Sequence, residues 1–89
     1  MIDIKDRELI IQFASKYRVS QVYLFGSSLA ESGSPHDIDL GVKGLKPELF
    51  FKFYGELSRR LSKNLDLVDL SHPSLFARLI EKRGIKIYG

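Results

Sequence analysis

The residues of this sequence best equipped for chemistry are three acids and a glycine–serine pair. Asp37 and Asp39 flank Ile38 in HDIDLGV, directly before residues that call for burial. In a β-strand, positions i and i+2 share a face and lie about 7 Å apart along the chain. Two carboxylates so placed repel each other unless a cation or water comes between them. A hard, oxygen-preferring ion such as Mg²⁺ or Mn²⁺ fits that need, held by one or two carboxylates while substrate phosphates complete its shell. Ile38 then points to the opposite, apolar face. The strand is expected to keep one side in the core and the other in a cleft.

Asp66 is the third acid. It lies in LDLVDL, where Leu65, Val68 and Leu70 ask for burial and a carboxylate is out of place. On a central strand beside DID it would bridge a second metal ion or take a proton from an attacking hydroxyl. Asp69 competes for the role, but it falls on the other face, so a regular strand brings only one of the two to the cleft. Gly26 and Ser27 follow the apolar run VYLF. A strand that stops at glycine, with a helix starting at serine, turns backbone N–H groups outward and adds a hydroxyl donor, which suits a phosphate. Either signal alone is weak, and each has a plain structural reading: edge-strand acids that discourage aggregation, or a serine that caps a helix. His36 and His72 read as structural. The specific feature is the set in order, Gly-Ser, then Asp-x-Asp, then a later acid.

The elements that must position these residues follow from periodicity. Leu9, Ile10, Phe13, Ala14 and Tyr17 form one stripe of a helix over 5–17, with Asp3 or Asp6 as its cap. Strands are expected at 21–25, 37–42 and 65–70, and IKIY (85–88) as a terminal strand. A short helix over 27–31 and a loop over 31–36 separate the first two strands. Pro47 opens a helix running to 63 whose apolar positions are Leu49, Phe50, Phe53, Leu57 and Leu61; Phe51 and Tyr54 widen this stripe and either meet the core or face a partner. Ser71 and Pro73 are expected to start a last helix that Gly84 stops. The order predicts an α/β or α+β fold, a small mixed sheet of three to four strands flanked by helices, in one domain over 1–89.

Composition narrows the function classes. The chain has 89 residues, 44% of them hydrophobic, and no cysteine, which removes disulfides and thiolate chemistry. No apolar run approaches the roughly 20 residues of a membrane span. Acids interrupt MIDIKDRELI early, unlike a secretion signal, so the cytoplasm is the expected compartment. A net charge of +3 permits nucleic-acid binding. The basic groups, Arg59, Arg60 and Lys63 or Lys82, Arg83 and Lys86, nevertheless fall where helix surfaces carry them anyway, so a nucleic-acid partner is not expected.

LFGS, HDIDLGV and LDLVDL, in a chain of this length, resemble the minimal nucleotidyltransferases of the DNA polymerase β-type superfamily, the MNT or MntA-like antitoxins. The resemblance runs from about Val22 to Tyr88. It implies that Gly26 and Ser27 hold the triphosphate of ATP, that Asp37 and Asp39 ligate Mg²⁺ or Mn²⁺, and that Asp66 completes the metal site and helps activate the acceptor hydroxyl. The implied reaction is transfer of AMP from ATP with release of pyrophosphate, the implied partner a HEPN-domain toxin adenylylated on a tyrosine. Two departures from the family pattern bear on turnover. The spacer from Ser27 to Asp37 is nine residues, one shorter than the commonest form, and Ser28 stands where many members carry a basic residue. A catalytically weak antitoxin that masks its toxin by stoichiometric binding is the alternative, and transfer to a small molecule or RNA a third. Without a further substrate-binding domain, acceptor recognition is left to the partner or to a homo-oligomer.

Overall fold

The structure, a computed structural model, describes residues 2–26 and 37–89. Ser27, Ser28, His36, the expected short helix and the loop after it lie outside the described residues. Helix α1 (Ile4–Lys16) leads into β1 (Gln21–Phe25) and β2 (Asp37–Lys43); a 3-10 turn (Pro47–Leu49) and α2 (Phe50–Arg60) cross over to β3 (Asn64–Asp69), followed by α3 (Leu75–Arg83) and β4 (Ile85–Tyr88). The four strands form one mixed sheet in the order β3-β2-β1-β4. β1 pairs antiparallel with β2 and β4, whereas β2 and β3 run parallel. Parallel neighbours need a crossover connection, and α2 supplies it.

Strand alternation divides the sheet into two unlike faces. Val22, Leu24, Ile38, Leu40 and Val42 form a fully or almost fully buried layer with Ile10, Phe13 and Ala14 of α1 and Phe53 and Leu57 of α2. Tyr17 closes this core edge-on against Phe53, with ring centroids 5.3 Å apart. At about 25 cal/mol per Å² of apolar surface removed from water, this layer is the main source of stability. The other face carries a smaller cluster, Tyr23, Leu70, Ala77 and Ile80, where α3 packs over part of the sheet. Gly41 permits that approach, since a Cβ there would lie 2.5 Å from Leu70 Cδ1. Lys43 Nζ donates to Glu81 Oε1 at 2.8 Å and ties α3 to β2; the carboxylate beside it holds the ammonium above the ordinary lysine range. What α3 leaves uncovered on this face is where Asp37, Asp39 and Asp66 stand.

The helix ends differ from the sequence expectation in instructive ways. Asp3 caps α1, accepting from Lys5 N at 2.8 Å. Asp6 is instead buried, accepting from the backbone N–H and the hydroxyl of Ser62, so it joins α1 to the α2–β3 connection. The helix expected from Pro47 to 63 begins as a 3-10 turn and is α-helical only from Phe50 to Arg60. The last helix starts at Leu75, capped by Ser74, whose hydroxyl accepts from Ala77 N at 3.0 Å. Ser71, the expected cap, serves the preceding turn: its N–H donates to Asp69 and its hydroxyl accepts from Gly44 N. Phe51 is 81% exposed and Tyr54 39%, so these two aromatics do not join the core. Among the described residues, no helix is long and apolar enough to cross a membrane.

Candidate functional site

Three strands bring the site together. β2 offers Asp37 and Asp39, both half-buried, on the face away from the main core, because Ile38 and Leu40 take the apolar side. In the parallel ladder Asp39 stands in register with Asp66 of β3, and Asp37 with Asn64. Paired residues share a face, and neighbouring strands lie about 4.8 Å apart, so Asp39 and Asp66 are side by side. β3 is the edge of the sheet, not the central strand expected from its sequence; β2 is the interior one. The acids of β2 are therefore not edge guards, and Asp66 stands at the open margin of the site.

Asp69 pairs with Val42, on the core-side parity of β3, and its Oδ1 accepts from Ser71 N at 2.9 Å. It closes a turn at the strand end, away from Asp39. The alternation of LDLVDL was thus a sound guide to which acid shares the face of Asp37 and Asp39.

Gly26 completes the described part of the site. β1 ends at Phe25, which is in register with Asp39, and Gly26 then adopts φ +61°. A Cβ on Gly26 would lie 2.6 Å from Asp39 Oδ2 and 3.2 Å from its Cγ. The backbone of the glycine and the carboxylate consequently share one space, which is the close approach glycine allows. Of the expected site residues, Gly26, Asp39 and Asp66 are brought together, Asp37 stands two positions along the same face, and Ser27 lies outside the described residues.

No group of three or more acidic, histidine or cysteine side chains is drawn together tightly enough to hold an ion among the described residues. The donor set nonetheless suits Mg²⁺ or Mn²⁺. It is all oxygen, and Mg²⁺ characteristically takes only one or two carboxylates together with substrate phosphates.

Beside the acids lies a feature that sequence periodicity did not single out. Phe25, Phe76, Leu79, Ile80 and Gly26 line an apolar cleft of ≈ 210 Å³ between the end of β1 and α3. Phe25 and Phe76 meet edge to face with centroids 5.9 Å apart. Strand alternation in QVYLF does put Phe25 on the Asp39 face, but the approach of Phe76 depends on where α3 crosses.

A mixed sheet with an apolar face under two helices, and an acid-bearing face beside a glycine turn, defines a nucleotidyltransferase-type fold. The sequence profile described as "Polymerase beta, Nucleotidyltransferase" matches residues 8–89, and the chain belongs to that family; it is a nucleotidyltransferase. Solved structures agree on the fold. One described as a toxin–antitoxin with AMP-PNP is 26% identical with a TM-score of 0.74, covering 93% of this chain and 73% of that one. A Shewanella oneidensis complex of a tri-AMPylated HEPN toxin with MNT antitoxin is 23% identical with a TM-score of 0.75, covering 99% and 73%. The toxin–antitoxin MntA-HepT is 22% identical with a TM-score of 0.72, covering 98% and 73%. A comparison with curated proteins gives no match.

Proposed function

We propose that this chain transfers AMP from ATP to a protein hydroxyl, the tyrosine of a HEPN-type toxin, and so acts as an antitoxin. The observation that carries this reading is the register of Asp39 with Asp66, with Gly26 backed against the Asp39 carboxylate. Solved structures of the same fold that contain AMP-PNP, or an AMPylated HEPN toxin, support the nucleotide and the acceptor class. A bound Mg²⁺ or Mn²⁺ would supply charge neutralisation at the triphosphate. Asp37 and Asp39 would hold that ion, and Gly26 and Ser27 would hold the phosphates. Asp66, at the open margin, completes the metal site and receives the proton of the acceptor hydroxyl. The acceptor oxygen attacks the α-phosphorus, the bond from the α-phosphorus to the bridging oxygen breaks, and pyrophosphate leaves in line.

Incubation with α-labelled ATP and the purified acceptor tests the reading directly. Label is expected on the acceptor with Mg²⁺ and none with a chelator; full labelling by the Asp37→Asn/Asp39→Asn double variant rules the mechanism out. The same variant separates this reading from stoichiometric masking, which the exposed Phe51 favours as a contact surface. A masking protein keeps neutralising and co-purifying with its toxin when both acids are changed, whereas an enzyme loses neutralisation.

The two acids of β3 give a further expected contrast. Asp66→Asn is expected to slow transfer by about 10²-fold or more, the usual scale for loss of a positioned base. Asp69→Ala, which removes the acceptor of the Ser71 N–H, is expected to leave transfer within about threefold and to lower stability by about 1 kcal/mol, the scale of one turn hydrogen bond. Steady-state labelling rates and thermal melts of the two variants check both halves.

A further inference from the structure

Four cations meet at the end of the sheet remote from the acids. Lys16 ends α1 and Arg18 follows it, Lys46 precedes the 3-10 turn, and Lys52 lies in the first turn of α2. With Tyr17 and Leu49 they line a cleft of ≈ 360 Å³. The cleft adjoins Gly44, just past the end of β2 opposite Asp37, so it is not continuous with the acids. The segments that form it are closely joined: Ser20 N donates to Lys43 O at 2.8 Å, and a Cβ on Gly44 would collide with Ser20 Oγ.

Ordinary helix electrostatics accounts for one of the four. Lys16 complements the C-terminal end of α1 and pairs with Glu56 at 3.4 Å. Glu56 also accepts from the Tyr17 hydroxyl, so its carboxylate is committed. Arg18, Lys46 and Lys52 make no ion pair among the described residues. Lys46 and Lys52 stand at the N-terminal end of the α2 segment, where a cation opposes the helix dipole. Arg18 is the least expected of all. α1 ends in a doubly bonded cap, with Val19 N donating to Ala14 O at 2.9 Å and Arg18 N to Ser15 O at 3.2 Å. That cap puts Arg18 at φ 57°, the left-handed position that glycine usually fills because a Cβ is penalised there. The arginine thus stands where the helix alone would favour glycine, and it lines the cleft. A strained backbone at the wall of a binding cleft points to a function for the side chain it carries.

We infer that this cleft is a second anion site, separate from the acids, that takes a compact oligophosphate: two or more linked phosphate groups, free or as the tail of a nucleotide. The Arg18 guanidinium suits paired phosphate oxygens, and the lysines act as point charges around it. The ring of Tyr17 is buried edge-on against Phe53, so the cleft offers no aromatic platform on which the bases of a nucleic acid could stack. The inference does not depend on the reading of the acids.

Pyrophosphate binding is measured in excess chelator, which keeps metal from the acids, by calorimetry and by backbone amide shifts. The proteins compared are wild type, Arg18→Gly, Lys46→Ala/Lys52→Ala and Asp37→Asn/Asp39→Asn. Wild type is expected to bind one pyrophosphate, with shifts confined to the neighbourhood of Arg18 and Lys46. Arg18→Gly and the lysine double variant are each expected to weaken binding by about tenfold or more, the scale of one lost charge-assisted hydrogen bond. The acid double variant is expected to bind as wild type does. Without ligand, Arg18→Gly is expected to melt a few degrees above wild type, so its lost affinity is not a loss of folding. Tripolyphosphate and metal-free ATP, titrated in the same way, separate the two sources: tighter binding of either one upholds the site and names the form it takes. Unchanged affinity in both cleft variants, or shifts centred on Gly26 and Asp39, overturns the inference. So does pyrophosphate binding that vanishes at about 0.15 M salt, which would mark a diffuse surface charge and not a site. An oligoribonucleotide or acidic peptide that binds at the cleft where pyrophosphate does not would overturn it as well.

Discussion

Asp39→Asn is expected to slow AMP transfer by about 10³-fold. Asp39 is flanked by all the other described members of the site, with Asp37 on its own strand, Asp66 in register beside it and Gly26 against its Oδ2. On the proposed reading, neutralising its carboxylate would remove a ligand from an ion that stabilises transition-state charge by several kcal/mol, and about 4 kcal/mol corresponds to 10³-fold in rate. Like charges set side by side in a sheet disfavour it by up to about 1 kcal/mol, so in chelator the variant is expected to melt within about 1 kcal/mol of wild type. Stopped-time labelling assays and thermal melts on the same preparations decide the matter. A variant as fast as wild type, or one slow only because it is unfolded, removes Asp39 from the centre of the mechanism.

Gly26→Ala has the second-largest expected effect, and it works through the same carboxylate. The left-handed backbone conformation at φ +61° disfavours any residue with a Cβ by about 1–2 kcal/mol. The new methyl would also lie 2.6 Å from Asp39 Oδ2, inside contact distance, so the carboxylate or the turn must shift. Displacing a catalytic group by about 1 Å can lower the rate by 10²-fold, and that is the loss expected here. A double-mutant cycle tests the route. In an Asp39→Ala background the colliding oxygen is gone, so Gly26→Ala should cost little further activity. Additive losses would show that the glycine acts on the phosphates alone.

Much of this arrangement can be read along the chain, and the parts that cannot share a cause. Alternation in DIDLGV and LDLVDL is local information: it correctly sorted Ile38 and Leu40 from Asp37 and Asp39, and put Asp66 and Asp69 on opposite faces. Strand order is not local, so Asp66 was expected on a central strand and stands on an edge. Cap residues near α3 illustrate competition between neighbours. Ser71 and Ser74 both precede the helix, and Ser71 is taken by Asp69 and Gly44, leaving Ser74 to cap. Asp6 looks like a first-turn acid until the crossover returns Ser62 to it. The aromatic cleft depends on Phe25 and Phe76, which no spacing rule connects.

The parallel pairing of β2 with β3 sets when the protein becomes competent. Gly26 and Asp39 come from adjacent antiparallel strands, but Asp66 arrives only after the whole α2 crossover has folded back onto the sheet. Non-local parallel contacts of this kind form late, because loop closure must precede any reward from pairing. Until then the chain holds Asp66 apart from Asp37 and Asp39. On the proposed reading it then lacks an assembled site, and the appearance of transfer activity during refolding is expected to follow the docking of β3, not the first collapse.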